Sequence, residues 1–311
     1  MQPGPSPAHH AHAIATFHDQ VLNRRNFGLM DGLFGPQIAF PPTPGLVATR
    51  DQMKAAIAGQ LGGLADRQYQ IIDVIADNDL VAVRSRAIGT HTAPVYNVPP
   101  TGRRFVEQEI NFYRFTNGVV TELRAFVDPL QAIMQLTAPP NAPPPPLGLW
   151  SDAGPVRESG FRIPPHQAVA YTRTVLGQIA RRQLALVDEC FAPGFVMHGM
   201  PAGQPADREA YKRNYGIMWA AFPDASESIE DIVSNGTRVA VVLRVQGTHT
   251  GPFLSLPPSG RRIDLWSSAI YELSQGPAPG TFVFTQCWSV TPTATLMQQI
   301  GAFGAAQARG S

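Results

Sequence analysis

The spacing of apolar and polar positions changes along the chain. From residue 11 to residue 34, apolar residues recur every three to four positions, which predicts helix. Residues 49–64 predict a second helix that Thr49 caps. Residues 69–127 hold long, largely alternating runs separated by turn sequences, which predicts antiparallel strands. Two shorter elements complete the order: a strand over 37–40 and a helix over 129–136.

The same order of elements occurs twice. Residues 71–94 read IIDVIADNDLVAVRSRAIGTHTAP and residues 229–252 read IEDIVSNGTRVAVVLRVQGTHTGP, a displacement of 158 positions. The shared register extends well beyond these segments, so we interpret the chain as a tandem duplication of one domain. The second copy accordingly predicts a helix over 166–191, a short strand over 195–198 and a helix over 207–221.

A proline-rich segment separates the two copies. Residues 138–146 read APPNAPPPP, which cannot supply the hydrogen-bond donors of a helix or sheet and is typical of an extended spacer. We therefore place the first domain at 1–138, a linker at 139–165 and the second domain at 166–311. Helices followed by a curved antiparallel sheet predict an α+β fold, with two tandem cone-shaped domains whose helices pack on one face of the sheet.

Composition and charge exclude several classes of protein. The chain has 311 residues, of which 44% are hydrophobic and 15% charged, and its net charge is +1, so nucleic acid and anionic membranes are not expected partners. No apolar run approaches the ~20 residues of a membrane-spanning helix, and we expect a soluble, cytoplasmic protein. Cys190 and Cys287 predict neither a disulfide framework nor a zinc site. His9, His10 and His12 are expected in a solvated tail without metal.

Longer motifs point to a known family. The first copy contains GTHTAPVYNVPPTGRR, YRFTNGVVTELRAFVD and PLQAIMQL in that order. These segments resemble the SnoaL-like polyketide cyclase family, whose members adopt the nuclear-transport-factor-2-like cone around one deep pocket. The second copy keeps His249 and Tyr271, takes an insertion over 275–280, and has Trp288 where the first copy has Arg124.

The resemblance implies an activity and one residue to perform it. In family cyclases, the aspartate that follows the Trp-containing strand is the general acid/base in an intramolecular aldol closure of a polyketide ester. No metal or organic cofactor is used. Carried to this chain, that role falls on Asp128, because the second copy has Pro292 at the matching position.

Asp128 has two interpretations. If the face of the preceding strand that holds Glu122 and Arg124 lines the pocket, burial would raise the pKa of Asp128 and suit it to proton transfer near neutral pH. Arg124 would oppose this effect by holding the carboxylate ionised. The alternative is that Asp128 only caps the helix that starts at Pro129.

Histidine, glutamate and tryptophan supply further candidates. His91 and His249 end the apolar faces of corresponding strands, where they could polarise a substrate carbonyl or pin the proline-rich loop that follows. Alternate positions of the strand over 103–115 could form a pocket wall or a solvated sheet face: Glu107, Glu109, Asn111 and Tyr113. Aromatic residues of the second copy could stack on a flat ligand or belong to the core: Trp219, Trp266, Trp288 and His198.

Three functions follow from these candidates. The leading hypothesis is a cofactor-independent cyclase or isomerase for a polyketide or comparable apolar carbonyl compound, with Asp128 and His91 catalytic and Arg124, Asn111 and Tyr113 positioning the substrate. Epoxide opening by two carboxylates, Asp128 with Glu109 or Glu122, is the second. A non-catalytic binder is the third.

We expect the ionisable pocket in the first copy and an aromatic, accessory one in the second. We also expect the copies to pair as a pseudo-dimer, with a homo-oligomer possible.

Overall fold

The computed structural model describes residues 6–41, 43, 45–139, 161–199 and 206–302. It divides the chain into two compact units, residues 1–145 and 146–311. Most of the predicted linker, residues 140–160, lies outside the described residues. Each unit combines helices with one sheet, which confirms the predicted α+β class and the duplication.

Helices open the first domain. They comprise α1 (Pro7–Thr16), a π-helical segment (Phe17–Asn23), a 3-10 turn (Phe27–Leu29), α2 (Met30–Leu33) and, after two strands, α3 (Arg50–Gly63). Thr49 caps α3 as predicted, and Gln52 returns a hydrogen bond to the Thr49 backbone. The helix α1 begins earlier than the sequence indicates. His10 is buried on Phe115 with ring centroids 4.1 Å apart, so its assignment to a solvated tail is wrong.

A six-stranded sheet forms the rest of the first domain. Its strands are β1 (Phe34–Ala39), β2 (Val47–Thr49), β3 (Gln68–Asp77), β4 (Leu80–Thr90), β5 (Arg104–Thr116) and β6 (Val119–Val127), in the order β2-β1-β6-β5-β4-β3. The pair β1/β6 is parallel, so the sheet is mixed where the sequence predicts an antiparallel one. A final helix, α4 (Pro129–Thr137), begins directly after β6.

The second domain repeats this plan. Its helices are α5 (Pro165–Ala180), α6 (Leu186–Cys190), α7 (Arg208–Ala221) and α8 (Thr293–Gln299). Its strands are β7 (Phe191–His198), β8 (Ser226–Ser234), β9 (Arg238–Thr248), β10 (Arg262–Gln275) and β11 (Phe282–Val290), in the order β7-β11-β10-β9-β8. Asp207 caps α7 as predicted.

Each sheet turns one face towards the helices, and the main core of the domain lies between them. In the first domain Ile14, Phe17 and Val21 from the helical segments pack on Tyr113 and Val120. In the second domain, Val175 and Ile179 of α5 belong to the same buried cluster as Tyr271 of β10. The helix-facing side of β5 and β10 is therefore the inside of each domain, and it decides which polar residues are enclosed.

Candidate functional site

A cavity of about 180 Å³ lies inside the second domain. Its wall is formed by α7, the four strands β8–β11, the end of α5 and part of β7. Apolar and aromatic side chains cover most of it: Met197, Tyr211, Tyr215, Met218, Trp219, Leu243, Val245, Leu265 and Tyr271. No lysine, arginine or histidine is among the described residues that line it. The cavity therefore favours an uncharged, largely apolar molecule.

Glu227, the second residue of β8, places a carboxyl group in this wall. Tyr215 Oη donates a hydrogen bond of 3.1 Å to its Oε1. Burial raises the pKa of Glu227 to about 7, although the Tyr215 hydrogen bond acts in the opposite direction. Its Oε2 accepts no hydrogen bond from a described residue and is not fully buried, so that oxygen is open to the cavity. Such a carboxyl can both accept and donate a proton near neutral pH.

Tyrosines continue the polar network behind Glu227. The rings of Tyr215 and Tyr211 lie with centroids 5.4 Å apart, and Tyr211 Oη is 2.9 Å from Tyr271 Oη. Burial raises the pKa of all three phenols, so they remain protonated. Burial also raises the pKa of the Cys287 thiol to about 12, which argues against a nucleophilic cysteine. The network is a set of neutral hydrogen-bonding groups around one titrating carboxyl.

Sequence reasoning missed Glu227, but a signal for it exists. At the repeat offset of 158 positions, Glu227 stands where the first copy has Tyr69. An exchange of an aromatic residue for a carboxylate within a matched strand pair indicates a changed interior. Trp219 is the predicted aromatic residue that does line the cavity. The expectation that the second pocket is aromatic but only accessory does not account for Glu227.

In the first domain, the predicted strand face is enclosed. Glu107 is 2% exposed and forms an ion pair with Arg67, which is equally buried. Tyr96 Oη donates a hydrogen bond of 2.5 Å to the other oxygen of Glu107. The alternative of a solvated sheet face is therefore wrong. Glu107 is fully engaged by its two partners and does not serve as an open acid or base.

Glu109 is the less engaged member of this face. Its side chain keeps 14% exposure, and Asn111 Nδ2 donates a hydrogen bond of 3.0 Å to its Oε2. Burial and the neighbouring Glu107 charge raise the pKa of Glu109 to about 7, while Arg67 lowers it. Tyr113 is buried further along the strand, where its hydroxyl is 3.3 Å from His18 Nε2. Burial lowers the pKa of His18 to about 4, so this imidazole is neutral.

Asp128 caps α4. Its Oδ1 accepts a hydrogen bond of 3.2 Å from the Leu130 backbone, and the residue is 7% exposed. The capping interpretation therefore describes a real contact. It is compatible with a catalytic role as well, because a capping carboxylate still has a second oxygen. The catalytic assignment stays a prediction.

The face that was expected to line the pocket beside Asp128 points the other way. Arg124 lies opposite Phe112 and Glu122 lies opposite Arg114, whereas Leu123 lies opposite Tyr113. Residues directly opposite each other in a sheet share a face, so Arg124 and Glu122 lie on the outer side. They form an ion pair of 3.0 Å there. Thr121 is an extra residue in β6 at the register shift, and this bulge reverses the alternation that the sequence pattern assumed.

Trp288 lies on the outer face of β11. It lies opposite Ile270, while its neighbour Cys287 lies opposite the cavity residue Tyr271. Trp288 stacks on His198 with ring centroids 4.8 Å apart. Neither residue lines the described cavity, so the prediction that Trp288 contacts a ligand gains no support from this geometry.

The two histidines hold the loops that follow their strands. His91 Nδ1 accepts a hydrogen bond of 3.2 Å from the Thr101 backbone, and His249 Nδ1 accepts the same bond from Ser259. Both rings are buried, and His249 is not among the residues that line the cavity. The geometry supports the loop-pinning alternative in both copies. The proposed catalytic role of His91 and the ligand contact of His249 gain no support from these contacts.

The described residues contain neither a metal-binding cluster nor a membrane-spanning helix. Within the described ranges, no group of three or more histidine, cysteine, aspartate or glutamate side chains could hold a metal ion. No described helix has the length and apolar character needed to cross a bilayer.

Comparison with protein families identifies the class. The profile of the SnoaL-like polyketide cyclase family matches residues 12–136 and again residues 169–300. These two matches cover well over half of the chain, and the chain therefore belongs to this family, as a tandem pair of its domains. A comparison with curated protein sequences gives no match.

Three solved structures that are similar to this chain each match about one domain of it. IdmH from Streptomyces antibioticus is 26% identical over 41% of this chain and 97% of its own, with a TM-score of 0.37. TsrD from Streptomyces laurentii is 21% identical over 43% and 99%, with a TM-score of 0.40. A SnoaL-like polyketide cyclase from Agrobacterium tumefaciens is 17% identical over 40% and 97%, with a TM-score of 0.37.

Proposed function

We propose that this chain is a cofactor-independent cyclase or isomerase that acts on a polyketide or comparable apolar carbonyl compound by acid/base catalysis. The observation that supports it most is Glu227, a carboxyl with a pKa of about 7 in the aromatic cavity of the second domain. A general acid/base works best when its pKa lies near the working pH. Family membership favours the same type of reaction.

In the proposed reaction, Glu227 moves one proton from a carbon atom of the substrate to an oxygen atom. Ionised Glu227 takes a proton from a carbon next to the substrate carbonyl through its open Oε2, and the released electron pair forms an enolate. In a cyclase, the enolate carbon then attacks a second carbonyl of the same molecule to form a carbon–carbon bond. The resulting alkoxide takes the proton back from Glu227. The donor Tyr215 stabilises the ionised form of Glu227 before and after each turnover.

Cavity chemistry limits the substrate class. The described lining residues include no cation that could pair with a carboxylate substrate, and ionised Glu227 would repel such a substrate. Hydroxyl groups of Ser226, Ser267 and Ser289 line the wall and can bond to carbonyl oxygens. A neutral compound, an ester or ketone rather than a free acid, is therefore the preferred substrate. The cavity volume of about 180 Å³ suits one or two fused rings.

The test uses a neutral bicyclic ketone as the probe. We expect the full chain to exchange the α-protons of 1-tetralone for deuterium, followed by NMR. The rate should rise with pH as Glu227 ionises around pH 7 and then level off. Glu227→Gln should lower it about 10²-fold or more, the usual contribution of a positioned acid/base. Glu109→Gln is the matched control, since it removes a carboxyl of similar pKa in the other domain.

Each outcome has a defined meaning. Equal exchange by wild type and Glu227→Gln would overturn the proposal. Binding of 1-tetralone without exchange would favour the non-catalytic binder. Hydrolysis of an apolar epoxide that depends on Glu109 and Asp128 together would favour epoxide opening. The Glu122 version of that alternative loses its basis, because Glu122 lies on the outer face in an ion pair with Arg124.

A further inference from the structure

Residues of the first domain's polar cluster occupy the same repeat positions as residues that line the second domain's cavity. At the offset of 158 positions, Arg67 corresponds to Ala225, Glu107 to Leu265, Glu109 to Ser267, Asn111 to Ala269 and Tyr113 to Tyr271. All five second-domain residues line the cavity. The duplication has therefore placed two chemically different interiors at one location of the fold.

Glu109 and Glu227 are arranged alike although they lie on different strands. Each carboxyl has one oxygen held by a single neutral donor, Asn111 for Glu109 and Tyr215 for Glu227. In each, the other oxygen accepts no hydrogen bond from a described residue and is not fully buried. The second oxygen of Glu109, Oε1, forms a long ion pair with Arg67 Nη2 at 3.7 Å. Each domain thus has, on its inner face, one carboxyl oxygen that accepts no hydrogen bond from a described residue.

The surroundings of Glu109 differ from those of Glu227 because they include a buried cation, Arg67. This guanidinium is 2% exposed; it donates to Glu107 through Nη2 and to Tyr69 Oη through Nε, at 3.1 Å for the second bond. Its Nη1 is buried and has no hydrogen-bond partner among the described residues. A buried guanidinium with an unused donor is costly unless some group pairs with it. Among the described residues, no comparable cation lines the cavity of the second domain.

We infer that the first domain holds a second ligand site, centred on Glu109 and Arg67, for an apolar compound that carries a carboxylate. Protonated Glu109 donates its hydroxyl to the ligand carboxylate, and Arg67 supplies positive charge beside it. Ionised Glu109 repels the same ligand. The two domains therefore divide ligands by charge, with the carboxylate in the first and the neutral carbonyl compound in the second.

Binding at this site takes up a proton. The other groups around Glu109 are Glu107, which stays paired with Arg67, the phenols of Tyr69, Tyr96 and Tyr113, and the neutral His18 behind Tyr69 and Tyr113. Burial raises the pKa of the phenols, so Glu109, with a pKa of about 7, is the group that titrates near neutrality. Affinity for a carboxylate should fall about tenfold per pH unit above pH 7, in proportion to the protonated fraction.

The experiment measures 2-naphthoate binding to the full chain by calorimetry between pH 6 and pH 9, with 2-naphthamide as the neutral control. We expect naphthoate binding to weaken above pH 7 and naphthamide binding to stay constant. Glu109→Gln should bind naphthoate with no pH dependence, because the amide donates at every pH. Glu227→Gln should retain the wild-type dependence.

Several results would overturn the inference. These are the absence of naphthoate binding to the wild type, binding that does not change with pH, and a dependence that Glu227→Gln removes while Glu109→Gln retains it. Should Glu109→Gln misfold, Glu109→Ser replaces it, because serine is the residue that the second domain has at this position, Ser267. That variant should lose the pH dependence together with most of the affinity.

Discussion

The two domains share one fold but enclose opposite kinds of interior. In the first, Arg67, Glu107 and Tyr96 are joined in a buried charged network, and Glu109 titrates beside it. In the second, the described cavity wall is largely apolar and aromatic and includes the carboxyl of Glu227. A buried carboxyl with a pKa of about 7 occurs in both, on β5 in one domain and on β8 in the other. The two carboxyls are therefore supplied by different strands of the repeated fold, at positions that do not correspond.

Different neighbours produce the same pKa in the two domains. Glu109 feels burial and a negative neighbour, Glu107, partly offset by Arg67. Glu227 feels burial, offset only by the Tyr215 hydrogen bond. Removing single partners should therefore have different consequences in the two domains.

The largest expected effect is the loss of Arg67. Arg67→Ala leaves Glu107 buried without its cation, which should lower the free energy of unfolding by about 3–5 kcal/mol. The double variant R67A/E107L introduces the residues of the second domain, Ala225 and Leu265, and should recover most of that loss. Denaturant unfolding of the full chain measures both.

Lys54→Ala is the control for this comparison, since it removes an exposed ion pair with Asp31 that contributes under about 1 kcal/mol. If Arg67→Ala is no worse than Lys54→Ala, the buried network does not stabilise the first domain in the way described.

The second prediction concerns stability and pH. Folding raises the pKa of Glu227 from 4.5 to about 7, so the folded state binds the proton more tightly than the unfolded state. Glu227 therefore does not lower the free energy of unfolding below pH 4.5. As the pH rises from 4.5 towards 7, the free energy of unfolding falls by up to about 3 kcal/mol. Glu227→Gln should match the wild type near pH 4 and exceed it at pH 8. Glu109→Gln should behave likewise. A difference from wild type that is the same at both pH values would contradict the assignment.

The third prediction concerns Tyr215, which donates a hydrogen bond to Glu227 but not to Glu109. Tyr215→Phe removes the donor that stabilises ionised Glu227, and a hydrogen bond to a charged group contributes roughly 1.5–3 kcal/mol. The midpoint of 1-tetralone exchange should therefore move upward by about one pH unit or more. Tyr171→Phe, which loses a bond to the Phe282 carbonyl instead, should leave the midpoint in place. An unmoved midpoint in Tyr215→Phe would show that this hydrogen bond does not set the pKa of Glu227.

The smallest expected effect concerns Asp128. Asp128→Ala should cost about 1 kcal/mol of stability, because it removes the cap of α4, whereas Asp128→Asn should keep the cap. Denaturant unfolding measures both. Under our proposal, Asp128→Asn also exchanges 1-tetralone at the wild-type rate. A loss of about 10²-fold or more would instead give Asp128 the role that the family resemblance implies.

Much of the fold follows from local pattern. The repeat offset, the capped starts of α3 and α7, and the Asp-Pro start of α4 were all readable, because caps and hairpin turns depend on a few adjacent residues. The candidate sites were harder to predict from the sequence. One bulge residue, Thr121, exchanged the faces of β6, and with them Arg124 and Glu122 left the predicted pocket.

The sequence by itself determined that this chain contains two SnoaL-like domains, and which positions of each correspond. It also determined that Asp128 has no counterpart in the second domain, where Pro292 stands. Only the tertiary structure decided that Glu109 and Glu227 are enclosed and titrate near pH 7, while Glu107 is neutralised by Arg67. The physical reason is that a pKa depends on burial and on the charges within a few ångströms, and in these domains those neighbours come from strands and helices far apart in the chain.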